Sequence, residues 1–400
     1  MPRQFVICSD GTGQTYGPHK SNVARLFKLL DLDHEKKQQI GCYSPGVGTI
    51  PDQATQDEIK EAQPDQILLP QNETTKFESL KGLMVGDGLK ENIHNLYSAL
   101  AANYVEGDQI FMFGFSRGAF TVRALAGLLR RCGLVHPKYN DKEHFEEAYS
   151  LYEPHEEDVR AVDSFKSRCE SRQIEVEFLG LWDTVKSYGY MRPISLPHTR
   201  YNTIVKHVRH ALALGESRSF YIPTTWGGLD DPPDKVRKPQ HPSQTLSEVW
   251  FAGDHSDVGG GHKDAEGHSP ARYSLEWMIY EATAPNIQLR IKQPAAKNEY
   301  ELLLPEGSEP KAHNLLASKW YWWGLEFVPR NEFNNGGDKP DPNFKWLAFN
   351  GSRHPEEYPR DKKTRIHRSA EKVIGSERFN TLVSHCESKG TKVIIEPQTQ

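Results

Sequence analysis

The sequence predicts an α/β protein: a mainly parallel sheet with helices on both faces, inserted loops and helices, and a less regular C-terminal part. Three observations lead there. Four short apolar runs, "QFVICS" (4–9), "QIFMFGF" (109–115), "VEFLGLW" (176–182) and "EVWFAG" (248–253), are each followed by a turn containing Gly or Asp, the mark of buried strands. Helical patterns lie between the runs. One run ends in Gly-x-Ser-x-Gly, with Ser116 between Gly114 and Gly118, and passes directly into a helical pattern.

The runs are apolar at successive positions, which suits strands covered on both faces. Before Ser116, one helical stripe carries Ile93, Leu96, Tyr97, Leu100 and Tyr104 and stops near Gly107. After it, Val122, Leu125, Ala126 and Leu129 share a face. Residues 51–80 are polar and contain three prolines, 138–172 are charged and helical in pattern, and 223–247 are Pro-rich. All three read as surface insertions. The core is therefore assigned to 1–290, and 291–400 to a C-terminal extension packed on it, with no internal repeat or low-complexity tract.

Composition excludes several function classes. The chain has 400 residues, 36% of them hydrophobic, enough for a large core. A net charge of −5 gives no general attraction to nucleic acid or to anionic membranes. Five cysteines, Cys8, Cys42, Cys132, Cys169 and Cys386, are odd in number and form no Cys-x-x-Cys pair. This argues against a disulfide framework or a thiolate zinc site and fits a reducing compartment. The N-terminus lacks the h-region and small-residue cleavage site of a secretory signal, and no run approaches about 18 apolar residues. The expectation is a soluble protein that is cytoplasmic or exported without a cleavable signal peptide, its oligomeric state open.

Gly-x-Ser-x-Gly alone is common. Between a strand and a helix opening with Gly118 and Ala119, it suits a nucleophile elbow, a turn so tight that flanking side chains would clash. The competing reading is a small residue in a turn. A serine hydroxyl needs a base, and the base needs an anion to hold its tautomer. In this fold they follow in the order Ser, acid, His, on loops after strands. Asp183 ends one run and His255 follows another, just before Gly259, Gly260 and Gly261. Asp183 could equally cap a helix or bend a turn. His210, His262, His268 and His367 compete with His255, which alone sits between a buried strand and the triple glycine. Asp257 is the other acid, better suited to fixing the loop.

The cluster Asp254, His255, Asp257 and His262 resembles a metal-ligand group but has neither a helical His-x-x-x-His pair nor calcium-loop spacing. No metal or cofactor is assigned. The segment "VICSDGTGQT" (6–15) places Asp10, Gly11, Thr12 and Gly13 after the first strand. A haloacid-dehalogenase phosphatase would need Asp where this chain has Cys8. In a serine hydrolase, backbone N–H groups of Gly11, Thr12 and Gly13 would join that of Arg117 in an oxyanion hole, although a purely conformational Gly-rich turn fits equally.

These residues resemble the α/β-hydrolase domain family of largely uncharacterised proteins that includes the type VI secretion phospholipase effectors of the first class. The resemblance covers "SDGTGQT", "YSPGVGT", "GLKENIHNLYSALAANY", "GDQIFMFGFSRGAFTVRALAGLL", "FLGLWDTV", "HALALGESRSFYIPTTW" and "VWFAGDHSDVGGGH". It implies a triad of Ser116, Asp183 and His255, with Asp10 at an acidic family position, and an ester or lipid substrate cleaved as by A1- or A2-type phospholipases. The aromatic stretch "SKWYWWGLEFVPR" (318–330) suits core packing or peripheral membrane contact. The basic residues Arg360, Lys362, Lys363, Arg365 and Arg368 read as a solvated face. Two other readings stand beside the serine esterase: a non-catalytic binding module of the same fold, and a metal-dependent hydrolase using Asp10 and Asp257.

Overall fold

The apolar runs pair into one sheet. A computed structural model of the chain describes residues 2–11, 21–32, 38–46, 66–69, 87–153, 158–185, 188–189, 192–193, 196–218, 221–227, 244–262, 270–292, 310–314, 330–333, 340–345, 353–357 and 363–397. In chain order the elements are β1 (Gln4–Ser9), α1 (Asn22–Leu29), β2 (Gln39–Ser44), β3 (Gln66–Leu68), α2 (Asp87–Asn103), β4 (Gln109–Phe115), α3 (Arg117–Cys132), α4 (Lys142–Tyr152), α5 (Val159–Arg168) and β5 (Val176–Trp182). There follow β6 (Val205–Ala213), β7 (Thr245–Phe251), α6 (His255–Gly259), α7 (Ala271–Ala282), β8 (Lys363–His367), α8 (Ser369–Ile374), α9 (Ser376–Ser388) and β9 (Lys392–Glu396). Short antiparallel pairs also join 188–189 to 192–193 and 330–333 to 340–345.

Nine strands lie in the order β9-β8-β7-β6-β5-β4-β1-β2-β3, and every neighbouring pair is parallel. This is an α/β fold. Side chains alternate across each strand, so one run feeds two cores. On β4, Ile110 and Met112 join the cluster beneath α2, α3, α4 and α5, while Phe111, Phe113 and Phe115 join the one beneath α1 and α7. Each such aromatic contributes roughly 1.5–3 kcal/mol by leaving water.

The region 138–172 is charged only on its outer side. Asp141 and Asp158 cap α4 and α5 by accepting from the amides of His144 and Ala161, and Phe145, Ala148, Tyr149, Tyr152 and Phe165 pack into the core under α3. Within 51–80, residues 66–68 add the edge strand β3, with Gly41 opposite Gln66. Beyond residue 290, β8 and β9 continue the sheet past β7, where Ile366 faces Trp250. Leu212, Trp250, Ala252, Ile366, Ala370 and Phe379 close this end.

The strand order fixes where a site can form. From β1 the chain adds β2 and β3 on one side, then returns to place β4 on the other. The connections after β1 and β4 therefore diverge and leave a crevice at the carboxyl edge, where α/β sheets bind ligands. Gly11 and Ser116 stand at that switch point.

Candidate active site

Ser116 links β4 to α3 with φ 57 and ψ −123, a left-handed region that disfavours any residue but glycine. Such a conformation costs a non-glycine residue roughly 1–3 kcal/mol and clusters at functional sites. Its amide donates to Trp182 O at 3.0 Å. A serine before a helix ordinarily accepts from an amide two or three residues on, yet the Ser116 side chain makes no cap hydrogen bond. Its neighbours are glycines because the backbones nearly touch. A Cβ on Gly114 would lie 2.6 Å from Ala119 Cα, and one on Gly118 would lie 2.2 Å from Ser9 O and 2.4 Å from Asp10 O.

Asp183 follows β5, also left-handed at φ 41, and is fully buried. Its Oδ2 accepts from His255 Nδ1 at 2.6 Å, and Oδ1 accepts from the Ala213 amide at 3.0 Å. Arg353 clamps both oxygens, Nη1 to Oδ1 at 2.5 Å and Nη2 to Oδ2 at 3.0 Å. Burial alone would raise the carboxyl; Arg353 and His255 overcome it and hold Asp183 well below the usual carboxylate range.

His255 begins α6. Asp254 caps that helix by accepting from the amides of Ser256 and Asp257, and Asp257 returns a bond to the Asp254 amide. The imidazole lies between Phe115, 4.6 Å between centroids, and Tyr221 at 4.7 Å. With Nδ1 donating to a carboxylate, Nε2 is the acceptor nitrogen, and among the described residues it is buried without a hydrogen-bond partner. The His255 amide donates to Glu216 Oε2 at 3.2 Å. Burial raises Glu216, but its paired Arg218, with Arg353 and His255, brings it below the ordinary glutamate value.

The structure thus brings Asp183 and His255 into one hydrogen bond and sets the ring against the residue preceding Ser116. Gly11 plays a different part from the one its sequence suggests. Its amide donates to Asp10 Oδ1 at 2.7 Å and so is engaged away from an oxyanion. What the position supplies is space: a Cβ there would lie 2.8 Å from Phe115 Cδ1 and 3.2 Å from Ser116 Cβ. Thr12 and Gly13 lie outside the described residues. The Arg117 amide opens α3, where amides have no intrahelical partner.

Asp10 Oδ2 accepts from the hydroxyls of Ser21 and Tyr43, both at 2.6 Å. Burial pushes its carboxyl up to about 6 despite these donors and the Gly11 amide. Asp10 braces the β1 turn and joins no cluster of three metal-ligand atoms among the described residues. Of the competing histidines, His210 donates from Nδ1 to Glu248 and accepts the Thr184 amide at Nε2, His367 bonds Ser369, and His262 meets Asp254 at 2.8 Å. His268 lies outside the described residues. So does the aromatic stretch 318–330, apart from the backbone of Arg330.

Sequence reasoning missed Arg353, Glu216, Tyr221 and His313. Arg353, Tyr221 and His313 stand at the end of no apolar run, and Glu216 follows one, Ala211–Leu214, with only Gly215 between. Arg353 is 170 positions from its partner, and His313 meets Asp257 across 56.

A family model described as the type VI secretion system (T6SS) phospholipase effector Tle1-like catalytic domain matches residues 3–281. The chain belongs to this Tle1-like family. The matched span holds Ser116, Asp183 and His255; Arg353 and His313 lie beyond it. Uncharacterized protein YEL023C of Saccharomyces cerevisiae is 31% identical over 230 residues, 55% of this chain and 32% of that protein. An uncharacterized protein from Pseudomonas aeruginosa superposes with a TM-score of 0.41 and 16% identity, covering 82% of this chain and 51% of the other. The Tle1 effector bound to the VgrG spike of the type VI secretion system gives 0.35 and 19%, covering 66% and 52%. The chain thus spans about a third of the yeast relative's length and about half of each solved one.

Proposed function

We propose that this protein is a serine hydrolase that cleaves carboxylic esters of lipids through an acyl-enzyme. The observation that carries the reading is Ser116, a left-handed serine at the head of α3 whose hydroxyl takes no part in capping the helix. Its support is the Asp183–His255 hydrogen bond, which leaves Nε2 as a buried acceptor.

In this reading Ser116 Oγ attacks the acyl carbonyl carbon and gives its proton to His255 Nε2. Asp183 holds Nδ1–H in place and stabilises the imidazolium. The Arg117 amide receives the developing oxyanion at the positive end of α3. Collapse of the tetrahedral intermediate breaks the ester C–O bond as His255 protonates the leaving alcohol. Water, deprotonated by the same Nε2, then releases the acid and frees Ser116. Lipid as the ester class rests on family membership, and phospholipid on the family's description. No described helix is long and apolar enough to cross a membrane, so the substrate would be met at a membrane surface or dispersed.

The test pairs wild type with Ser116→Ala on p-nitrophenyl esters and phosphatidylcholine vesicles, with chelator present. Wild type should hydrolyse both, and the variant neither, at nearly unchanged melting temperature. Full turnover retained by Ser116→Ala would reject the assignment. Asp183→Asn should lower kcat by about 10⁴-fold through the wrong tautomer.

A further inference from the structure

Behind α6, on the side away from Ser116 in sequence, two histidines converge on a buried carboxylate. We propose that Asp257, His262 and His313, with Asp254 beside them, bind one divalent transition-metal ion of the zinc class that ties residues 310–314 to the turn carrying His255. Spacing alone gave no such site, because the third ligand comes from 56 residues downstream.

The donor atoms already face one another. One ligand atom from each of Asp257, His262 and His313 lies within 4.8 Å of the other two. Asp257 Oδ2 is held by the amides of Asp254 at 3.0 Å and His313 at 2.6 Å, which leaves Oδ1 to the imidazoles. His313 Nδ1 is 2.7 Å from Oδ1, and His262 Nε2 is 3.6 Å from it. Tetrahedral zinc with bonds of about 2.0 Å separates its ligands by about 3.3 Å, so the two carboxylate–imidazole distances need only sub-ångström adjustments. The two rings stack at 4.1 Å between centroids.

Asp254 supplies an independent indication. Its Oδ1 accepts from two amides and meets His262 Nε2 at 2.8 Å. Its Oδ2 is buried and, among the described residues, has no hydrogen-bond partner, which is costly for a carboxylate oxygen. A cation within reach of this carboxylate would remove that cost. With neutral imidazoles, Asp254 and Asp257 bring two negative charges together in the interior near Arg218, whose guanidinium is already paired with Glu216, and a divalent ion adds balancing charge. Two nitrogens with carboxylate oxygen match zinc and its transition-metal neighbours; calcium and magnesium prefer oxygen alone. On binding, each coordinating nitrogen carries no proton, the ring N–H sitting on the other nitrogen.

The test uses the full chain, free of affinity-tag histidines and stripped with chelator, titrated with zinc chloride against a chromophoric competitor and assayed for metal content. One zinc per chain should bind. His262→Gln and His313→Gln should each weaken binding at least tenfold, and zinc should raise the melting temperature of wild type but not of the double variant. Near-UV circular dichroism establishes that each variant is folded, and the half-exposed His313 gives the milder replacement. His385→Gln, in the cluster of His354, Glu356 and His385, should leave affinity unchanged. Absence of stoichiometric binding, unaltered affinity in the His262 and His313 variants, or loss of binding in His385→Gln overturns the proposal. No substrate enters the measurement, so failure of the hydrolase reading would not register in it.

Discussion

Arg353 reaches Asp183 from 170 positions away and grips both carboxylate oxygens. Removing it leaves a fully buried charge with His255 and one amide for partners. Arg353→Ala should therefore cost about 3–5 kcal/mol, read as a lower denaturation midpoint, and Arg353→Lys should restore only part because it cannot fork. Asp10 and Asp183 respond to pH in opposite senses. Asp10 is raised to about 6, so its neutral form favours the folded state. That contribution is complete below the unfolded value of about 4 and is lost as pH rises through about 6, a change of order 3 kcal/mol. Asp183 is lowered, so its contribution is present above about 4 and is lost in stronger acid. Asp10→Asn should flatten the stability profile between pH 4 and 7; an unchanged profile would remove Asp10 as its source. At this scale Ser116, Asp183 and His255 could be singled out as candidates because each sits where an apolar run gives way to a turn. Arg353 was not, since its segment has no periodicity and its contact depends on how distant loops meet.

The strand-turn-helix around Ser116 is held by close backbone approach. Gly118→Ala would drive a Cβ against the carbonyl oxygens of Ser9 and Asp10, both main chain and unable to rotate away. The expected loss is roughly 1–3 kcal/mol or more, with ester turnover falling further than stability because β1 must move off the elbow. Thermal melts and kinetics on the same sample separate the two effects. The sequence announced this element through its glycines and small helix-opening residues. It could not announce the Gly11 amide's engagement by Asp10, because either direction of that N–H satisfies the same Gly-rich pattern. Charge likewise disguised α4 and α5: charged residues are scattered along both, while Phe145, Tyr149, Tyr152 and Phe165 carry their packing.

For the molecule as a whole, the parallel sheet and its two covered faces could be read from four apolar runs, whereas the continuation through β8 and β9 could not. Those strands are short, and among the described residues β8 meets β7 at the registered pair of Ile366 and Trp250. A chain ending at residue 290 would lose this edge, expose β7, and strip Asp183 of Arg353. It should aggregate and melt well below the full protein, as unpaired edges do. In the proposed reading all of this geometry serves the hydroxyl of Ser116. The most direct measurement is peptide mass spectrometry of the full chain after reaction with a fluorophosphonate. A single adduct on the peptide bearing Ser116, greatly slowed in His255→Gln, is the predicted result. An unmodified Ser116 beside an active wild-type protein, or an adduct on another serine whose replacement ends turnover, would contradict it.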